Sequence, residues 1–514
     1  MPTATRPVAG PVAPAPRPRA GTSSTKSIRL LACTLILAAA ALIVPGAASA
    51  SKTQLSLFQD DRELVVGAGQ DPAEAMAEVA NLGADVVRAN IIYHKIYRTP
   101  KDRKRPAGFD AADPDSPRYD WSRIDRFVRL ANDNGLRILG TITGPGPHFT
   151  TRNPGSCRRV PCTKNPTPAD FGEFAAAVAK RYKGEIDYYS IYNEPNLEQW
   201  LTPQQKKPGI GKVQTEAVLY RKLFIEAYKS IARFDPARRN KVMFGEVAAI
   251  SEPLALLNAA LCLDINGDKF RGRQARLHGC AGKVAKLNIG GFAVHPYNPG
   301  AYGTARSTTR SRFSLPMAYM PRLHRLIDRA KKLGRITRRA PILSTEFGFQ
   351  TKPPDRFASS QAKQAQNINE ADRLFYADPR VIMVGQYELS DEPRVDIFNT
   401  GLRFANTKGR RKKPSYEAYQ VPIVVTELSA NKVEVYGQVR PGGSASVQIQ
   451  ASKGRAPFRA VRSVRTSSRG MFKVNVSRRG AARLRWRLVT SAANGDLPTS
   501  RVAKAGAKLR YYRD

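Results

Sequence analysis

Ile191-Tyr192-Asn193-Glu194-Pro195-Asn196 closes a β-rich run, 185–190, that itself follows a helix-like segment. A glutamate at the end of an apolar strand, flanked by a carboxamide and stopped by a proline, adds little to stability. Polar residues at strand ends are where parallel barrels keep their chemistry. A second stretch, Pro341-Ile342-Leu343-Ser344-Thr345-Glu346-Phe347-Gly348, is again an apolar strand ending in a glutamate. Two such glutamates on separate strands predict a paired-carboxylate site.

Outward from these two stretches, strands alternate with amphipathic helical patterns from about residue 54 to 418. Strands are predicted at 54–59, 84–91, 136–143, 185–194, 241–247, 290–295, 342–346 and 381–389. Asp71-Pro72 reads as an N-cap and first helical residue, with Gly83 as the stop. Asp120 caps a helix that turns Trp121, Ile124, Val128 and Ala131 to one side, and Thr167-Pro168 opens another with Phe171, Phe174, Val178 and Tyr182 inward. Further helices are predicted at 216–233, 254–261, 322–333, 361–376 and 415–419. Strands separated by helices imply βα units and a parallel sheet, and eight of them match an enlarged (β/α)8 TIM barrel over 51–420.

After Tyr419 the period changes to two. Val433, Val435 and Val439 alternate with polar residues, as do Ala445 to Ala451, Phe472 to Val476, and Leu484, Trp486 and Leu488. Turn residues such as Pro441-Gly442-Gly443 separate the runs, so 421–514 is expected to be an all-β sandwich.

Residues 1–50 carry basic residues, then the apolar run 30–44, then Ala48-Ser49-Ala50. That order is expected of a cleaved secretory signal, and the run is short for a membrane span. Leu30-Leu31-Ala32-Cys33 has its apolar core on the wrong side of the cysteine for a lipoprotein box. Cys33 leaves with the signal. Cys157 with Cys162 and Cys262 with Cys280 then form two sequence-local pairs, expected as loop-stapling disulfides of an exported chain. Five histidines and no CxxC give no pattern for a metal centre. The expected product is secreted or cell-wall associated, with no transmembrane segment in the mature chain.

Net charge is +42, and +37 once the five basic residues of 1–50 are removed. Nineteen Lys or Arg against four Asp or Glu fall in 421–514, the densest charge of the chain. Such a balance favours anionic polymers, among them acidic glycans and cell walls. The plain alternative is a basic structural module packed on the barrel. No zinc finger, helix-turn-helix or basic-region coil is present, so no specific nucleic-acid partner is expected.

Two strand-end glutamates are the usual means of breaking a glycosidic bond. On Tyr192-Asn193-Glu194-Pro195-Asn196 and Ser344-Thr345-Glu346-Phe347-Gly348 the chain resembles the clan A glycoside hydrolases, families 5 and 39, a cellulase-like group, over about 54–419. The resemblance implies Glu194 as general acid/base after strand four and Glu346 as nucleophile after strand seven. It places Arg88 beside the nucleophile and Asn193 on the sugar 2-hydroxyl. His295 and Tyr297 line the catalytic subsite, with the tyrosine touching the nucleophile. The implied activity is retaining hydrolysis of a β-linked poly- or oligosaccharide, without cofactor or metal. The chain departs from the clan in carrying Tyr387 where a tryptophan usually ends strand eight, and Tyr192 where many relatives carry tryptophan. Tyr387 is the stacking face expected for a sugar ring; Tyr93, Phe149 and Trp200 are further strand-end aromatics. Glu246 is a third carboxylate, either a sugar ligand or an ion-pair partner. The other reading is a non-catalytic glycan- or wall-binding protein on the same scaffold.

Overall fold

Eight parallel strands close into a barrel in the computed structural model: β1 (Leu55–Gln59), β2 (Val86–Ile92), β3 (Arg137–Thr143), β4 (Tyr188–Ile191), β5 (Val242–Ala248), β6 (Gly291–His295), β7 (Ile342–Ser344) and β8 (Val381–Tyr387). β8 pairs with β1 to complete the ring. The structure describes residues 53–512 apart from 159–160, 206–212, 299, 301–302, 354, 357, 395–398 and 492–498. The expected signal, 1–50, lies outside the described residues. Among the described residues no helix is long and apolar enough to cross a membrane.

The helices form where capping and periodicity place them. In α1 (Pro72–Asn81) Asp71 Oδ1 accepts the Ala73 N–H at 2.9 Å, Pro72 sets the first turn, and Ala75, Met76 and Val79 face the strands. Gly83, at φ +86°, ends the segment in a conformation that a β-carbon disfavours. α2 (Ser122–Asp133) and α3 (Pro168–Arg181) bury the apolar faces expected of them. α4 (Thr215–Phe234), α5 (Pro253–Ala260), α6 (Met320–Lys332), α7 (Gln361–Tyr376) and α8 (Pro414–Gln420) continue the ring. The disulfides Cys157–Cys162 and Cys262–Cys280 are both formed.

Alternation along the strands builds the barrel interior in layers. Leu55, Leu57, Val86, Leu139, Met243, Ala293, Leu343 and Met383 make an apolar cluster inside the ring. Two residues further along their strands the same inward positions become polar: Leu57 gives way to Gln59, Val86 to Arg88, Leu139 to Thr141 and Ala293 to His295. The barrel is thus sealed below by hydrocarbon and carries its polar groups at the C-terminal mouth.

Two antiparallel sheets follow. β9 (Ile423–Ser429), β10 (Lys432–Gln438) and β13 (Met471–Ser477) form one, in the order β9-β10-β13. β11 (Ser446–Ser452), β12 (Arg459–Arg465), β14 (Arg485–Ser491) and β15 (Ala503–Lys504) form the other, in the order β12-β11-β14-β15. Val433, Val435, Val447, Ile449, Trp486 and Leu488 fill the space between them. The three-stranded sheet lies against the barrel: Tyr436 packs on Tyr376 of α7 with ring centroids 4.9 Å apart. Buried Arg440 reaches Asp372 at 3.1 and 3.2 Å, the Tyr419 carbonyl at 2.7 Å and Ser56 Oγ at 3.0 Å.

Candidate active site

Both glutamates stand just past their strands rather than on them. β4 stops at Ile191 and β7 at Ser344, where the sequence predicted strand as far as Glu194 and Glu346. At β4 the cause is conformational. Tyr192 (φ +68°) and Glu194 (φ +41°) adopt left-handed backbone, which no ladder accommodates. Hydrogen bonds hold the turn: Tyr192 N–H to the Ile142 carbonyl at 2.9 Å, and Glu194 N–H to the Glu246 carbonyl at 2.9 Å. Asn196 ties the turn to β5, giving its amide to the Ala248 carbonyl at 3.1 Å and accepting the Ala248 N–H at 3.0 Å. Non-glycine residues in this backbone region cluster at functional sites.

An oxygen of Glu194, a nitrogen of His295 and an oxygen of Glu346 all lie within 4.8 Å of one another. The two glutamates line a cavity of about 670 Å³ with Gln59, Asp61, Asn90, Asn193, Trp200, Tyr297 and Tyr387. Each glutamate side chain is 12% exposed, so both reach the cavity.

Arg88 sits fully buried on the barrel axis and serves the whole mouth. Its Nη1 donates to Glu346 Oε2 at 3.0 Å and to Gln59 Oε1. Its Nη2 donates to Asn193 Oδ1 at 2.7 Å and to Glu246 Oε2 at 3.0 Å, and Nε to Thr141 Oγ1 at 3.0 Å. With its carbonyl held by Arg88, Asn193 has its NH2 end for a ligand. Tyr297 donates its hydroxyl to the other oxygen of Glu346, Oε1, at 3.0 Å. Burial, reinforced by Glu346, holds the Tyr297 phenol well above 10, so it remains a donor.

Glu246 resolves as an ion-pair partner and not as a cavity group. It is completely buried, and it accepts from Arg88, from His295 Nε2 at 2.6 Å, from Thr345 Oγ1 at 2.9 Å and from Ser190 Oγ. A bulge in β5 puts it there: Gly245 pairs with Ala293 and Val247 with Val294, leaving Glu246 as the extra residue, at φ +47°. Burial opposes its ionisation, but Arg88, His295 and Ser190 outweigh burial and bring its pKa down to about 2.

Burial also disfavours a charge on His295. The facing Glu346, Glu194 and Glu246 win, and its pKa stands at about 10. As an imidazolium it donates Nδ1–H to Glu194 Oε1 at 3.0 Å and Nε2–H to Glu246. Both nitrogens are thereby engaged in hydrogen bonds to carboxylates. Glu346 is pushed up by burial and by Glu194, against the pull of His295 and Arg88.

All seven site residues named from sequence converge on this mouth: Arg88, Asn193, Glu194, His295, Tyr297, Glu346 and Tyr387. Tyr387 stands edge-on to Tyr297 at 6.4 Å between centroids. Of Tyr93, Phe149 and Trp200, Trp200 alone lines the cavity. Tyr93 stacks on Phe174 at 4.0 Å and Phe149 packs on Tyr97 at 5.4 Å, both in the core. Gln59, Asp61 and Asn90 were not singled out from sequence. Gln59 and Asn90 could have been, as polar residues at the ends of apolar strands.

No protein-family model and no curated protein matches the chain. Among solved structures it is similar to a GH10 endoxylanase from a sugarcane soil metagenome, at 12% identity and TM-score 0.40, over 71% of this chain and 96% of that one. It is also similar to xylanase XynB from Paenibacillus barcinonensis, at 12% identity and TM-score 0.40, over 72% and 98%. An endo-1,4-beta-mannanase from Rhizomucor miehei aligns at 11% identity and TM-score 0.37, over 71% and 95%.

Proposed function

We propose that this chain is an exported retaining glycoside hydrolase that cleaves a β-linked poly- or oligosaccharide. The supporting observation is the approach of Glu194 and Glu346, with oxygens within 4.8 Å across an open cavity. Carboxyl groups about 5–5.5 Å apart act by double displacement, whereas inverting pairs stand about 6.5–9.5 Å apart to admit a water between them.

In this reading Glu346 attacks the anomeric carbon. Its two oxygens already accept from Arg88 and Tyr297, which hold the carboxylate in one orientation. Glu194 gives its proton to the departing glycosidic oxygen. The covalent glycosyl-enzyme is then hydrolysed by a water that Glu194, now a carboxylate, deprotonates, and the sugar leaves with its original configuration. Burial pushes Glu346 up, and His295, Arg88 and Tyr297 act against that push. The Asn193 NH2 is the group to meet the sugar 2-hydroxyl, and Trp200 and Tyr387 offer ring faces. The two disulfides support export.

The mechanism is tested by mass spectrometry with a slowly turned-over 2-fluoro-glycoside of a cleaved sugar. One sugar on a peptide containing Glu346 is expected. A product of inverted anomeric configuration by NMR would overturn it.

A further inference from the structure

Packing on the barrel accounts for only part of the charge on the sandwich. Arg440 is spent on Asp372, Arg469 pairs with Asp85, and Arg501 bonds to Asn369. Lys473 and the barrel's Arg373 share Glu434. All of these except Arg501 belong to, or meet, the three-stranded sheet and its turns. The four-stranded sheet is different. Its register puts Val447 and Ile449 into the core, and so turns Ser446, Gln448 and Gln450 outward, with Ser452 buried at the end of the row. Across from this row stand Arg465 on β12 and Arg487 and Arg485 on β14, and Lys504 on β15 lies opposite Arg485.

Among the described residues none of Arg465, Arg485, Arg487 and Lys504 has a carboxylate within ion-pair distance. Two of the guanidinium groups, those of Arg485 and Arg487, are instead set in place by neutral neighbours. Arg487 Nε donates to Gln450 Oε1 at 2.8 Å, Gln450 in turn donates to Gln448, and Arg485 Nη2 donates to Ser452 Oγ at 3.0 Å. Half-buried Phe458 lies beside both, its ring centroid 4.4 Å from the Arg487 guanidinium and 5.1 Å from that of Arg485.

We infer that the outer face of the four-stranded sheet binds an anionic polysaccharide bearing carboxylates. Guanidinium groups pair with carboxylates in a planar, bidentate manner and lose little freedom when already anchored. Exposed Ser446 and half-buried Gln448 supply donors and acceptors for neutral hydroxyls, and Phe458 supplies an apolar edge for a ring. A polymer read by phosphate charge alone would use the arginines and leave those groups idle. The inference stands independently of the hydrolytic reading, since none of these residues lines the cavity.

The test is affinity electrophoresis of the mature chain in gels containing polygalacturonate, with xylan, polyphosphate and duplex DNA as separate arms. The triple variant Arg465→Gln, Arg485→Gln, Arg487→Gln is compared with a control that removes equal charge from exposed barrel-helix positions, Arg129→Gln, Lys222→Gln, Lys332→Gln. Circular dichroism confirms that each is folded. The expected result is retardation by polygalacturonate that weakens roughly tenfold or more in the sheet variant, with a shallower salt dependence, and changes little in the control. Equal weakening in both would show diffuse charge and overturn the inference. Tighter binding to polyphosphate or DNA than to polygalacturonate would overturn the assignment to a carboxylated glycan.

Discussion

Glu246, rather than either cavity glutamate, is the residue on which the mouth of the barrel depends for its charge arrangement. It holds Arg88 and His295 in place, and those two hold Glu346, Asn193 and Glu194. Removing one partner of a fully buried pair leaves a charge uncompensated, so Glu246→Ala is expected to cost about 3–5 kcal/mol, read as a loss of denaturant stability. Its pKa of about 2 lies below the usual 4.5, so its stabilisation is full above pH 4.5 and fades as pH falls towards 2. His295 has the opposite sign: raised from 6.5 to about 10, its contribution is full below 6.5 and is lost as pH rises through 10. Stability measured against pH should therefore decline at both ends. Activity should follow a different group. Because burial pushes Glu346 up, the acidic limb of kcat/KM is expected above pH 4.5. Glu194→Gln should lower the rate by about 10²–10⁴-fold on substrates with poor leaving groups, and less where the leaving group needs no proton. These two glutamates were legible in sequence because each ends an apolar run. The role of Glu246 was not, because a bulge cannot be read from residue order.

That bulge is the element whose shape matters most. Gly245 takes φ +119°, and a β-carbon there would stand 2.5 Å from the Ala293 carbonyl oxygen. Gly245→Ala is expected to destabilise by roughly 1–3 kcal/mol and to lower kcat, because shifting β5 moves Glu246 away from Arg88. A variant with full stability and full rate would contradict this account of β5. Strand and helix order was legible wherever capping and periodicity agreed, as in α1 and α2. Three strands carried too weak a pattern, the two-residue β15 among them. β9 is an apolar run just after a proline, and β12, Arg459–Arg465, is an edge strand exposed along most of its length, so neither shows clean alternation.

Across the whole molecule, barrel and sandwich meet through buried polar contacts that join distant parts of the sequence. Arg440 touches both Asp372 on α7 and Ser56 on β1, and Gly83 leaves no room against it: a β-carbon there would stand 2.6 Å from Arg440 Cβ. Arg440→Ala should therefore destabilise the barrel and the sandwich together, by about 3–5 kcal/mol, seen as earlier thermal unfolding of both. Composition announced the basic charge of 421–514. Its division between contacts to the barrel and an outward face needed the strand register. The central claim remains the carboxylate pair, and one measurement addresses it most directly: reducing-sugar release from neutral and acidic β-glycans by the mature protein beside Glu346→Gln. Release by the wild-type chain alone is expected, with the variant slower by about three orders of magnitude or more and equally folded. Equal release by both, or glycan binding by both without release from any β-glycan, would contradict it.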